Sequence, residues 1–314
     1  MSGARATREA LGQTLLELAE EGRDDVVAVD ADLARSTTTA KFAAVHPERF
    51  FDAGVAEQNM IGVAAGLAAA GLTPFTGSFA VFAAGRAYDQ VRNTVCYSNL
   101  GVKLCPTHAG VTVGPDGGSH QMLEDIALMS VLPRMRVLVP ADYHAARAAI
   151  RLAASTPGPF YVRLGRTAVP YIYEESVEIE LGRAHVLREG SDVSLVACGV
   201  MVAAALQAAD ELADEGVSAE VIDAVSVKPL DAETIAGSAG RTGGVVVCEE
   251  HSVIGGLGSA VATVLGERVP VPLRRIGVRD VFGISGEPAE LLSHFGLTAE
   301  DVARAAREVL AARS

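Results

Sequence analysis

The sequence predicts an α/β protein, two doubly wound domains with mainly parallel sheets, and three observations carry that expectation. Short β-branched runs alternate with longer Ala-, Leu- and Glu-rich segments along the whole chain, the pattern of strands joined by crossover helices. Several of those runs are apolar throughout, as strands buried on both faces must be. At 314 residues the chain is too long for one ordinary domain and suits two of about 150 residues.

Taken in order, strands are expected at VVAV (26–29), TPFTG (73–77), VKLCP (102–106), RVLVP (136–140) and FYVRL (160–164). A second series follows at DVSLVA (192–197), AEVID (219–223), GVVVCEE (244–250) and PLRRIG (272–277). Helical patterns fill 7–21, 56–70, 83–98, 143–154, 202–215, 257–266 and 298–311. Across 174–190 the chain turns from apolar strand into a charged connector, and a fresh strand–helix series begins. The division falls there, with a first domain at 1–180 and a second at 185–314.

Composition narrows the class. A hydrophobic fraction of 49 % with 21 % charged residues excludes wholesale disorder. Aromatics make up 5 % and tryptophan is absent, so the cores must be Ala, Val and Leu. The 32 glycines show no period, which excludes collagen and points to many tight turns. With 26 Lys and Arg against 39 Asp and Glu, a net −13, a nucleic-acid-binding surface is not expected, although a few arginines can still gather into one anion pocket. Cys96, Cys105, Cys198 and Cys248 form no CxxC pair and no zinc spacing; Cys105, Cys198 and Cys248 lie in strand-like runs, the setting of reduced, buried thiols. The N-terminal run has no secretory pattern and no apolar stretch suits a bilayer span, so the expectation is a soluble, cytoplasmic protein without membrane contact.

Four groups of residues stand out against this background. Glu57, in FDAGVAEQNM, opens a helix of small apolar residues with no cation nearby in sequence. It is either a carboxylate facing the helix macrodipole or a poorly solvated carboxyl able to hold a proton. Phe79 and Phe82, in GSFAVFAAGRAYDQ, are either core residues or a flat wall for a heteroaromatic ring. His108, Asp116 and His120 hang on the glycine-rich loop THAGVTVGPDGGSHQ, which reads as a surface turn, a metal site, or a grip on a hydroxyl-rich or anionic ligand. The H-x7-D-x3-H spacing matches no common zinc pattern, so imidazoles on a ligand fit better. Arg8 at a helix start, and Arg163 and Arg166 in YVRLGR, solvate the surface unless the fold brings them together around a phosphate. GxxxxGK[ST], HExxH and GxSxG are all absent, and the glycines of VIGGLGSAV (253–261) suit a tight turn opening a helix.

Together these segments resemble the transketolase family over nearly the whole chain. DAGVAEQNM is similar to that family's catalytic-glutamate motif, GSFAVF to its aromatic cofactor motif, and HAGVTVGPDGGSH to its substrate loop. ATRE (6–9) and DADLARS (30–36) resemble two further substrate-side motifs, while IDAVSVKPLD and SGEPAELLSHFGLT resemble its C-terminal region. Ala83-Ala84-Gly85 stands where many family members carry Tyr or Thr, which enlarges the pocket wall. No GDG motif of a diphosphate-binding domain is present. The resemblance therefore implies the second subunit of a split transketolase.

That resemblance implies thiamine diphosphate shared with an N-terminal partner subunit, which would hold the diphosphate and Mg²⁺ or Ca²⁺, in an α2β2 assembly containing a self-dimer of this chain. Glu57 would hydrogen-bond the pyrimidine nitrogen, with Phe82 and Phe79 stacking, His120 between cofactor and substrate, and Asp32 on the cofactor side. Asp116 would accept a sugar hydroxyl. Arg8, Ser36, His108 and Arg166 would cradle the phosphate of a sugar phosphate. The implied activity is transfer of a two-carbon ketol unit from a ketose phosphate to an aldose. The alternatives are the β subunit of a 2-oxo acid dehydrogenase, whose lipoyl acceptor has no need of this His/Asp/Arg set, and a non-catalytic assembly or regulatory paralogue, which an intact Glu57 argues against.

Overall fold

In the computed structural model, which describes residues 3–313, two sheets carry the architecture. The larger has seven strands, in the order Ser226–Lys228, Arg136–Leu138, Phe160–Val162, Lys103–Leu104, Thr73–Thr76, Val26–Asp30 and Phe50–Asp52. All pairings are parallel except that of Ser226–Lys228 with Arg136–Leu138. The smaller has Leu273–Val278, Val245–Ser252, Val193–Ala197, Ala219–Asp223 and His185–Arg188, with only the last antiparallel. The two mainly parallel sheets with crossover helices agree with the expected fold class. VVAVD and VSLVA are buried at every position, which is why they read as apolar runs interrupted only by Asp30 and Ser194.

Strand Ser226–Lys228 lies downstream of the first region in sequence, yet it completes the first region's sheet. One apolar core accordingly runs from Val29, Met60 and Ala84 through Val139 to Val196, Ile222 and Val247. The two regions pack as one body.

The helix expected over 83–98 differs. The chain there forms two π-helical stretches, Val81–Arg86 and Gln90–Cys96. Periodicity cannot separate a π turn from an α turn over so few residues, and π turns concentrate at functional sites. All four cysteines are free and buried, and burial raises each thiol. Among the described residues no helix is long and apolar enough to cross a membrane.

A two-stranded ribbon, Ala4–Ala6 against Ala168–Pro170, adds the last pairing. It is too short to stand out in the sequence. Its register sets Ala6 opposite Ala168, so the residues just beyond, Arg8 and Arg166, emerge side by side.

Candidate functional site

The seven-stranded sheet has its switch point between Val26–Asp30 and Thr73–Thr76, where the chain passes from one side of the sheet to the other. Open α/β sheets bind ligands outside the carboxyl ends of strands at such a point. The segments that follow the carboxyl ends of this sheet's parallel strands carry all the candidate residues except Arg8.

Glu57 begins the helix Glu57–Ala69, in the first turn where a carboxylate meets the macrodipole favourably. It is 2 % exposed. The expectation of a Glu57 without a cation is corrected here: Arg86 Nη1 donates to Glu57 Oε2 at 2.7 Å, while Oε1 accepts nothing from the other described residues. The same guanidinium stands 4.5 Å over the Phe82 ring. Phe79 and Phe82 lie nearly parallel, their centroids 6.1 Å apart. His120 meets Phe82 edge-on at 5.6 Å, and His108 stacks on Phe79 at 3.8 Å.

The loop residues divide between two neighbourhoods. His120 is held by Ser119 Oγ at 3.0 Å and faces the aromatic pair. His108 is buried, with Nδ1 2.7 Å from Thr107 Oγ1. Burial first, and then the charges of Arg8 and Arg166, lower its imidazole to about 3. His108 is therefore a neutral hydrogen-bonding group at neutral pH. Asp116 pairs with Arg166 at 3.3 Å, and Arg166 also donates to the Val113 carbonyl.

Arg8 and Arg166 stand close enough to repel: burial and then the Arg166 charge lower the Arg8 guanidinium. Arg8 Nη1 donates to the Ser36 carbonyl at 2.9 Å, and Arg8 Nε is buried with no hydrogen-bond partner among the described residues. Both arginines line a cavity of about 280 Å³ with Thr112, Pro115 and Pro288. Two adjacent guanidiniums and an unsatisfied donor are what an anion relieves. Ser36 takes part through its backbone. Its turn is built by Asp30, a buried carboxylate that accepts from the Ala31 and Leu33 N–H groups at 2.7 and 3.0 Å and from the Thr37 and Thr39 hydroxyls at 2.7 and 2.8 Å. Asp32 stands exposed in that turn, with its N–H donating to Asp52 at 3.0 Å. Among the described residues no group of three or more His, Cys, Asp or Glu could hold a metal ion.

Residues 3–171 match the model of the transketolase pyrimidine binding domain, and residues 182–302 that of the transketolase C-terminal domain. The chain belongs to the transketolase family. It is 47 % identical over 303 residues to a putative transketolase C-terminal section of Methanocaldococcus jannaschii, covering 96 % of this chain and 95 % of that one. It is 49 % identical to a 6-deoxy-6-sulfo-D-fructose transketolase subunit of Clostridium sp., covering 96 % and 94 %. A solved split-gene transketolase chain, described as an inactive β4 tetramer, superposes with a TM-score of 0.91 at 51 % identity, over 99 % of this chain and 100 % of that one.

In this transketolase-family chain Arg163 does not join the other two arginines. It is 7 % exposed, pairs with Asp125 at 2.8 Å, and donates to the Met122 and Glu250 carbonyls at 3.3 and 3.0 Å. It ties the glycine-rich loop to the second region. Glu250 does so too, accepting from the Thr112 N–H at 2.6 Å, and a Cβ on Gly110 would meet its carboxyl at 2.2 Å. Gln121 Nε2 donates to the Ile284 carbonyl at 2.9 Å, and Ser285 Oγ to that of Pro115 at 2.6 Å.

Arg86, Asp30 and Glu250 escaped the sequence reading. Only Arg86 left a signal: it follows Phe82 by four residues, the spacing of neighbours on one helical face.

Proposed function

We propose that this chain is the pyrimidine-side subunit of a split, thiamine-diphosphate-dependent transketolase, transferring a two-carbon ketol unit from a ketose phosphate to an aldose phosphate. A second subunit supplies the diphosphate-binding domain with Mg²⁺ or Ca²⁺, and two copies of each assemble as α2β2. The observation that carries this reading is a buried carboxyl, Glu57, joined through the Arg86 guanidinium to the ring of Phe82 in a nearly parallel aromatic pair. That donor set fits an aminopyrimidine, which offers ring nitrogens to a carboxyl and a flat face to Phe82.

When bound, thiamine diphosphate supplies the nucleophilic carbon and the electron sink for ketol transfer. This chain's residues do the rest. Glu57 would hold a proton at Oε1, the oxygen that Arg86 leaves open, for a pyrimidine nitrogen. Phe82 and Phe79 exclude water from one face. His120 sits at the aromatic edge, where it can hydrogen-bond a substrate oxygen, and Asp116 accepts a sugar hydroxyl. Arg8 and Arg166 hold the terminal anion, with neutral His108 and the Ser36 turn behind them. The relative named for a sulfosugar makes a sulfonate head group the competing substrate, since both anions suit paired guanidiniums.

Co-expression with a candidate diphosphate-binding partner tests the reading. Turnover of ketose phosphates should require both subunits, thiamine diphosphate and Mg²⁺, while the isolated chain binds the cofactor weakly. Tight calorimetric binding by the isolated chain would refute the split site, and preference for a sulfonate over a phosphate donor would reassign the substrate.

A further inference from the structure

The Arg86 guanidinium makes two contacts at once, to the Glu57 carboxyl at 2.7 Å and to the Phe82 face at 4.5 Å. Arg86 is itself held from behind. It closes the π-helical stretch Val81–Arg86, and its carbonyl accepts from Gln58 Nε2 at 3.3 Å. Gln58 directly follows Glu57 in the helix Glu57–Ala69. One residue thus ties the helix bearing the carboxyl to the turn bearing the ring.

We propose that Arg86 is a positioning residue that fixes the Glu57 carboxyl and the Phe82 ring relative to each other, an inference that rests on the thiamine diphosphate reading above. A glutamate in the first turn of a helix turns about three side-chain torsions. A charge-assisted bond at Oε2 removes that freedom and presents Oε1 in one direction. Arg86 keeps a side-chain exposure of 49 % over a carboxyl exposed by 2 %, so taking the guanidinium away opens Glu57 to water and limits the cost to stability; direction is what the pair supplies. Geometry matters there because misplacing an acid–base group by about 1 Å can cost ~10²-fold in rate. The competing account makes Arg86 a counter-ion that merely satisfies a buried carboxylate.

The two accounts separate in a double-mutant cycle on the assembled two-subunit complex, with thiamine diphosphate and Mg²⁺ as the probe. Three quantities are measured: exchange of the thiazolium C2 proton, the calorimetric Kd for the cofactor, and the melting temperature without cofactor. Arg86→Ala should slow exchange by about 10²-fold, with a smaller change in Kd and little change in melting temperature. Arg86→Lys, which keeps a cation within reach of Oε2, should recover most of the loss. In the Glu57→Gln background, Arg86→Ala should slow exchange no further, because the group it positions is gone. Wild-type exchange in Arg86→Ala overturns the proposal, as does an equal loss in both backgrounds, the mark of a structural role. If Glu57→Gln itself exchanges at the wild-type rate, the thiamine diphosphate reading falls and takes this inference with it. A slow Glu57→Gln beside a normal Arg86→Ala sinks the inference alone.

Discussion

The Glu57 side of the site and its arginine side are built by different means. Glu57, Phe79, Phe82 and Arg86 come from one stretch of chain, a helix start followed by a strand and a π-helical turn. Arg86 joins Glu57 to Phe82 within that stretch, and only the two histidines of the glycine-rich loop reach in, against the rings. The arginine side draws Arg8 from the N-terminal ribbon, the Ser36 carbonyl from the turn that Asp30 builds, and Asp116 from the glycine-rich loop. That loop is in turn gripped by Glu250 and Ser285 of the second region. On the proposed function, the carboxyl meets one ring nitrogen and is aimed by one stretch of chain. The anion meets two guanidiniums at once, and the whole fold brings them together.

The sharpest way to test this division is to disable each side and read both. Glu57→Gln keeps the size of the side chain and an acceptor for Arg86 but removes the exchangeable proton. Exchange of the thiazolium C2 proton in the assembled complex should slow by about 10²–10⁴, the scale of a positioned acid–base group. The KM for a phosphorylated sugar should barely move. Unchanged exchange would return Glu57 to a plain carboxylate at a helix start.

Arg166→Ala should do the reverse. Losing a charge-assisted contact of about 1.5–3 kcal/mol raises the KM for a phosphorylated substrate roughly 10- to 150-fold, with C2 exchange intact. Steady-state kinetics on matched phosphorylated and unphosphorylated sugars decide the point, since equal losses on both would mean that Arg166 does not recognise the anion.

A third effect, on stability rather than on rate or KM, is expected where the two sides meet. His108 stacks on Phe79 and feels both arginines. Its imidazole falls from 6.5 to about 3 on folding, so between those values the unfolded chain binds the extra proton. Stability should therefore rise with pH across that window and be lost as pH falls from 6.5 towards 3, by at most about 1.4 kcal/mol per pH unit from this one group. Urea denaturation against pH should show a shallower slope for His108→Gln than for the wild type. Identical slopes would place the acid sensitivity in other groups.

Much of the local wall was legible before the fold. Glu57 at a helix start and two phenylalanines three apart are short-range patterns, and the strand runs were readable because burial on both faces leaves an apolar signature. The Arg86–Glu57 pair was missed although Arg86 lies within a quoted motif, because a helix start and a turn with a strand between them have no fixed relative placement in sequence. Arg163 misled for the same reason: YVRLGR holds two arginines at one strand end, and only packing sends Arg163 inward to Asp125 and Arg166 outward to Asp116.

The sequence by itself determined the α/β class, the order of the main strands, the acidic surface charge and the candidate residues on each motif. These follow from periodicity and residue chemistry, which act over a few residues. The tertiary structure alone decided that Arg8 stands beside Arg166, through the register of the Ala4–Ala6 and Ala168–Pro170 ribbon. It also decided that Ser226–Lys228 completes the first sheet and that Glu250 holds the glycine-rich loop. Each of those pairings joins residues far apart in the chain, and what selects them is the pairing of strand edges and the burial of a carboxyl group, which local periodicity does not encode.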